Sequence, residues 1–160
     1  MLSLRSIMSL AALTSPTFAE HLRVVWSKGD FATISGPNGG NQNGHFSNFA
    51  IIDRNGDAIF TEAYPGGYAV CQIDDGHEFA IEGMCWSAPR KFHCVSNFAG
   101  NPESCEVKDS NGNSLGKAGG NTNWDFIGIA IASSSGCVVE IDTEDACPAV
   151  GEDGNNLHVV

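Results

Sequence analysis

Short runs of strand-forming residues recur along the chain, each bounded by glycine, asparagine, aspartate or proline. No segment combines the helical apolar period with helix-forming residues and capping signals. Strands at intervals of about ten residues, without helices between them, are typical of antiparallel sandwiches and barrels. The sequence therefore predicts an all-β fold, a single antiparallel β-sandwich or barrel. The predicted strands are 21–26, 31–35, 46–53, 58–63, 68–72, 78–86, 91–96, 105–108, 124–132 and 137–142.

Two segments, 49–60 and 105–116, each contain an Asn-Gly dipeptide, at Asn55-Gly56 and at Asn111-Gly112. Asn-Gly readily supplies the positive φ angles of a tight primed turn, so both segments are predicted to be hairpins. Within the predicted strand 124–132, residues 126–132 are apolar on both faces, which favours a central position in the sheet. The glycine-rich and asparagine-rich stretches 36–44 and 115–122 are predicted to be surface loops.

Residues 1–19 have the order of a secretory signal peptide: Arg5, a short apolar run, Pro16, and then Thr17-Phe18-Ala19. The apolar run is roughly half of the ~20 residues that cross a bilayer. We therefore expect cleavage after Ala19 and export of residues 20–160 as one β domain. Within that domain, the polar residues 148–160 are expected to form a flexible tail.

The chain has six cysteines, all of which follow the leader: Cys71, Cys85, Cys94, Cys105, Cys137 and Cys147. An even number of cysteines in an exported domain predicts disulfides, here up to three. No C-x-x-C motif is present, which disfavours a zinc knuckle or a thioredoxin-type redox pair. Spacing alone leaves the connectivity open, and the short polar segment between Cys137 and Cys147 makes these two the favoured pair.

The chain is strongly acidic, with 19 Asp and Glu against 8 Lys and Arg and a formal net charge of −11. This balance disfavours nucleic-acid binding, which needs clustered cations, and it leaves protein partners open. Asp53-x-Asn55-x-Asp57 and Asp109-x-Asn111-x-Asn113 have the first spacings of a calcium loop but lack its later glycine and glutamate. No hydrolase, zinc-protease or phosphate-loop signature occurs. The sequence thus predicts a non-enzymatic protein with no catalytic residue, metal or cofactor.

Positive charge and aromatic side chains come together in one segment of the chain, residues 86–93. Trp and Arg are favoured anchors in protein interfaces, so we interpret four of its residues as a candidate partner contact. The alternative interpretation is a hairpin tip whose aromatic side chains turn into the core. The four candidates are Trp86, Arg90, Lys91 and Phe92.

In its leader, its short exported domain, its spaced cysteines and its Gly/Asn-rich turns, the chain resembles the small cysteine-stapled secreted effectors and elicitors of plant-associated filamentous fungi. The resemblance covers the whole layout and rests on no specific motif. It implies extracellular action on a host, by binding a host protein such as a surface immune receptor or kinase, and either modulating immunity or triggering cell death. Entry into host cells, action in virulence and a monomeric state are part of the same expectation.

Two other classes of function remain open from the sequence. A small secreted polysaccharide hydrolase predicts a cleft with two carboxylates, one of which has a raised pKa. A carbohydrate-binding β module predicts a flat row of exposed aromatic side chains on one sheet face. The aromatic candidates for such a row are Trp26, Trp86, Trp124, Tyr64 and Tyr68.

Overall fold

A computed structural model describes residues 20–33, 42–127, 130–144, 147–148 and 156–160. The predicted leader 1–19 and most of the predicted loop 36–44 lie outside these ranges. The described chain forms two antiparallel five-stranded sheets that pack face to face, so the all-β sandwich is confirmed. One sheet has the strand order β3-β2-β1-β9-β8 and the other β10-β4-β5-β6-β7. The strands are β1 His21–Thr33, β2 Gln42–Ile52, β3 Ala58–Glu62, β4 His77–Glu82, β5 Arg90–Ser96, β6 Pro102–Lys108, β7 Ser114–Gly119, β8 Asn121–Ile127, β9 Ala130–Asp142 and β10 His158–Val159.

β1 is the central strand of the first sheet and pairs along its length with both β2 and β9. Leu22, Val24 and Trp26 alternate with more exposed residues and are fully buried. This two-residue period places one face of β1 in the core, because successive side chains of a strand point to opposite sides of the sheet. The inner faces of the other strands in both sheets complete the apolar core between the sheets.

The centre of the core is a group of aromatic rings contributed by both sheets. The Phe49 ring of β2 lies edge-on to Trp26, Phe79 and Phe92, with ring centroids 5.3, 4.9 and 5.2 Å away. Edge-to-face pairs at such distances are stabilising beyond the area they bury, by about 0.5–1.5 kcal/mol each. These ring contacts fix the position of one sheet against the other.

All six cysteines form disulfides, as expected, but the favoured Cys137–Cys147 pair is wrong. Cys137 of β9 is bonded to Cys105 of β6 and joins the two sheets. Cys85 is bonded to Cys147, and Cys71 to Cys94. The chain continues as extended strand from Cys137 to Asp142, at about 3.3 Å per residue. The strand therefore carries Cys147 far from Cys137 and towards the loop that holds Cys85.

Several predicted strand limits need correction. Segment 21–26 and residues 31–33 belong to one long strand, β1, while residues 34–35 lie outside the described ranges. Segment 124–132 divides between β8 and β9, which pair up to Ile127 and Ala130, and β8 is an edge strand rather than a central one. The predicted loop 115–122 is wrong, because residues 115–119 lie in β7 and residues 121–122 in β8. Segment 68–72 forms only an isolated bridge at Gln72. Pairing with a neighbour decides these cases, and single-strand periodicity does not contain that information.

The predicted tail 148–160 is partly structured at its far end. His158 and Val159 form β10, which pairs with Glu82 and Ile81 at the edge of the second sheet. Leu157 packs so closely over Gly83 that a Cβ there would lie 2.7 Å from its side chain. The chain end is thus attached to β4, and residues 149–155 of the tail lie outside the described residues.

Candidate functional site

The four residues predicted to contact a partner do not form an exposed patch. Trp86 is 5% exposed and Phe92 is fully buried, both beside the core aromatics. The Trp86 indole donates a hydrogen bond to the Ile81 carbonyl, 3.0 Å away. Arg90 is 8% exposed, and Lys91 alone is partly accessible. The two aromatic side chains, Trp86 and Phe92, therefore serve the interior, as in the alternative interpretation of this segment.

Three hairpin or loop turns of the chain share one backbone design, which we call the Asx–Gly turn. They span residues 53–57, 97–101 and 109–113, each beginning with Asp or Asn and carrying glycine in fourth place. In each, the first residue's N–H donates to the fifth residue's carbonyl at 2.9 Å, and the glycine N–H donates back to the first carbonyl. The first side chain also accepts the fifth residue's N–H.

The predicted primed turns at Asn55-Gly56 and Asn111-Gly112 are therefore wrong in type, although both hairpins exist. A type I′ turn needs positive φ at two successive residues. Among the described residues, Asp74 is the one non-glycine with positive φ, so each of these turns has positive φ at its glycine alone. The carboxylate of the first residue caps the turn and stabilises the longer loop, a type I turn followed by a left-handed glycine.

The 97–101 turn is tied to the opposite sheet, unlike the other two. Lys28 of β1 donates a hydrogen bond from Nζ to the Ala99 carbonyl. Ser135 of β9 donates to Oδ1 of Asn101, 3.3 Å away. These two contacts fix the tip of the β5–β6 hairpin against β1 and β9. The side-chain hydrogen bonds of the turns 53–57 and 109–113, within the described ranges, stay inside each turn.

The polar groups that hold this turn continue the inner face of β1 beyond the core. After Trp26, the same face carries Lys28 and then Asp30, which form an ion pair of 3.1 Å. His45 of β2 lies opposite Asp30 and hydrogen-bonds its carboxylate at 2.8 Å. Partial burial favours the protonated acid, but the hydrogen bonds from His45 and Lys28 outweigh it and lower the pKa of Asp30. The ionised carboxylate thus keeps the Lys28 side chain in place.

The side chain presented by this fixed turn is Phe98, which is 97% exposed. The corresponding second positions of the other two turns carry Arg54 and Ser110, both polar and exposed. Next to Phe98 lies a groove of about 410 Å³, whose walls include Ile73, Val95 and the acidic residues Asp74 and Glu103. We call Phe98 with this groove the Phe98 site.

The Phe98 site was not predicted from the sequence, because its turn lacks the Asn-Gly dipeptide present in the other two turns. The segment Asn97-Phe98-Ala99-Gly100-Asn101 has the broader pattern Asx-x-x-Gly-Asx, which all three turns share. That pattern predicts the turn and its exposed second position. The anchoring by Lys28 and Ser135 needs tertiary structure and has no local signal.

The acidic turns do not form a ready cation site. Oδ1 of Asp53 accepts N–H groups of Asn55 and Asp57 at 2.9 and 2.8 Å, and Asp109 accepts the equivalent N–H groups of Asn111 and Asn113. The carboxylates are thus occupied by their own turns. Within the described ranges, no group of three or more potential ligands suited to a metal ion is present.

Comparison with known protein families, with characterised proteins and with solved structures found no match. In the part of the chain that the structure describes, no helix has the length and apolar character needed to cross a membrane.

Proposed function

We propose that this chain is a secreted, non-enzymatic effector or elicitor that binds a host protein and thereby modulates plant immunity or triggers host cell death. The contact is made by the Phe98 site. The host protein is of the kind represented by a surface immune receptor or kinase. The proposal keeps the function implied by the resemblance to secreted effectors, and it moves the contact from residues 86–92 to the turn at the other end of β5.

Phe98 is the single observation that carries the proposal. A phenyl ring removed from water contributes about 1.5–3 kcal/mol, and at 97% exposure the fold gains almost none of it. The turn is already held by Lys28 and Ser135, so a partner orders little additional chain on binding. A rigid exposed aromatic beside a groove has the properties of an interface hot spot.

The surroundings of Phe98 indicate the chemistry of the partner surface. Ile73, 46% exposed, extends the apolar area, and Asp74 and Glu103 place carboxylates along the groove. A complementary partner has an apolar pocket for the phenyl ring and Lys or Arg side chains around it. Such charge complementarity raises the association rate more than the final affinity.

Export is supported by the disulfides. All six cysteines of the described chain are paired, and the bonds connect loops and both sheets. Disulfides of this kind persist in oxidising compartments outside the cytosol. The predicted leader 1–19 is the segment that would direct the chain there.

The two other functional classes have less support. Asp30, Asp53 and Asp109 are the described carboxyl groups whose pKa departs from the ordinary value, and in all three it is lowered, whereas a glycosidase acid needs a raised one. Of the aromatic candidates for a sugar-stacking row, Trp26 and Trp86 are buried and Tyr64 and Tyr68 are exposed, while the Trp124 side chain lies outside the described set. No continuous row is formed by the described four.

The test is a comparison of wild type with Phe98→Ser. The secreted chain is immobilised and used to retain proteins from host leaf extract, and the same variants are infiltrated into leaves and scored for cell death or suppressed immune signalling. We expect Phe98→Ser to lose the retained partner and the leaf response. Its free energy of unfolding should change by less than about 0.5 kcal/mol, since the side chain is exposed.

Met84→Ser is the matched control because Met84 is another exposed apolar residue, 65% accessible, away from the Phe98 site. It should retain the partner. Equal retention by wild type and Phe98→Ser, or no partner retained by wild type, contradicts the proposal.

A further inference from the structure

Arg90, at the start of β5, is a nearly buried cation for which the described residues supply no anionic partner. Its guanidinium lies over the Trp86 ring, 5.9 Å from the centroid, and the residue is 8% exposed. Within the described chain its side chain makes no hydrogen bond, and no carboxylate oxygen lies within 4.0 Å. This is unexpected in a protein with 19 acidic residues. A guanidinium offers up to five donors. Among the described residues, the fully buried polar atoms without a partner are Trp26 Nε1 and His77 Nδ1, so the unpaired nitrogens of Arg90 reach the solvent of a pocket.

Arg90 lines a pocket of about 230 Å³ between the loop before β5 and the 109–113 turn. Carboxylates and hydroxyls form the remaining walls. The lining residues are Ser87, Ala88, Arg90, Asp109, Ser110, Asn111, Leu115 and Glu144. We call this the Arg90 pocket. Its volume is below the ~300 Å³ of typical drug-sized sites, so it suits a single small ring.

The acids of the Arg90 pocket are already used in part by local donors. Asp109 accepts hydrogen bonds from the amides of its own turn on both carboxylate oxygens. Glu144 accepts a hydrogen bond of 3.5 Å from the Ser87 hydroxyl. The pocket therefore presents unused donors at Arg90 and acceptors at Asp109 and Glu144, separated by more than ion-pair distance.

We propose that the Arg90 pocket binds one ring of a neutral saccharide. A hydroxyl group donates and accepts at once, so neighbouring hydroxyls can accept from Arg90 while they donate to Glu144 or Asp109. A simple anion would be repelled by the two carboxylates, and a simple cation by the guanidinium. Arg90 and Trp86, predicted from sequence to meet a protein, then act together in a different role, with Trp86 holding the guanidinium in position.

This site is independent of the Phe98 site. The two turns lie at opposite ends of β6, so a saccharide in the Arg90 pocket leaves the Phe98 site accessible. The inference goes beyond the proposed function, because it concerns a second ligand at the other end of the sandwich.

The test is a titration of the full secreted chain, labelled with ¹⁵N, followed by amide chemical shifts. The probes are neutral tetrasaccharides of glucose, mannose and N-acetylglucosamine, with trigalacturonate and inorganic phosphate as anionic comparisons at constant ionic strength. We expect at least one neutral probe to shift the amides of Ser87, Ser110 and Asn111. Shifts there with the anions alone, or with none of the probes, overturn the inference.

Variants connect the shifts to the pocket. Arg90→Gln should lower the affinity for the neutral probe by about tenfold or more, because a charge-assisted hydrogen bond is lost. Ser110→Trp fills the pocket from an exposed turn position, so it should abolish binding without disturbing the core even if Arg90→Gln fails to fold. Arg54→Gln, at the equivalent exposed position of another Asx–Gly turn, is the control and should bind as wild type. Unchanged binding by Ser110→Trp also overturns the inference.

Discussion

The 97–101 and 109–113 turns have the same hydrogen-bonding pattern at opposite ends of β6, yet they differ in what surrounds them. The first is attached to the other sheet through Lys28 and presents an exposed phenyl ring. The second has polar side chains and borders a pocket whose arginine finds no acceptor among the described residues. The Asx–Gly pattern thus determines backbone geometry, whereas the second residue and the neighbouring sheet determine which side chains and contacts each end has.

The largest expected effect concerns the covalent connection that both turns share. The Cys105–Cys137 bond joins β6, which carries both turns, to β9 of the other sheet. Replacing both cysteines by Ser should lower the free energy of unfolding by about 3–4 kcal/mol, since the unfolded chain regains loop entropy. Chemical denaturation under non-reducing conditions measures it. A loss below about 1 kcal/mol would show that the two ends are held together by packing alone.

A pair of glycine substitutions sharpens the comparison between the turns. Gly112 has φ +88, and a Cβ added there would have no atom within 4 Å, so Gly112→Ala should cost only the left-handed strain, about 1–2 kcal/mol. Gly100 has φ +80, and a Cβ there would lie 2.9 Å from Lys28 Nζ. Gly100→Ala should therefore cost about 1 kcal/mol more, because it also displaces the Lys28 hydrogen bond. Thermal or denaturant unfolding of both variants gives the difference, and equal losses would contradict the attachment of the 97–101 turn.

Acidification should affect the 109–113 turn but not the 97–101 turn, and this is the smallest of the expected effects. Hydrogen bonds from the Asn113 side chain and from the turn amides lower the pKa of Asp109. Because the folded pKa is depressed, the stabilisation is present above the unfolded pKa of about 3.9 and is lost as pH falls through the folded value. Asn97, in the same position of the other turn, does not titrate. The Asn113 amide resonance should therefore shift on acidification while the Asn101 resonance stays constant.

Those resonances are best followed by NMR between neutral pH and the onset of acid unfolding. A shared shift of both amides would mean that a global change, and not the Asp109 carboxylate, is responsible.

Local patterns in the sequence were sufficient to predict the sandwich, the disulfide-bonded state of all six cysteines and two of the hairpins. Alternation is visible in β4, where Phe79 and Ile81 are buried and Glu78 and Ala80 are more exposed. Disulfide connectivity was not predictable, because Cys105 and Cys137 meet only once the sheets pack.

The candidate sites were predicted less well, for a related reason. Trp86 and Phe92 have the same local appearance in a core and in an interface, and only packing distinguishes them. Phe98 was not predicted because its turn lacks the Asn-Gly dipeptide that marks the other two turns. Attachment of that turn depends on Lys28, which is 71 positions away in the chain from the carbonyl it binds.

The most direct test exchanges the second residues of the two turns, as Phe98→Ser combined with Ser110→Phe. Composition, net charge and backbone pattern stay the same, and only the position of the phenyl ring changes. The account predicts that the exchanged protein folds with wild-type stability and no longer binds the host partner retained by wild type. Undiminished affinity for that partner, measured by surface plasmon resonance on the purified proteins, would contradict it.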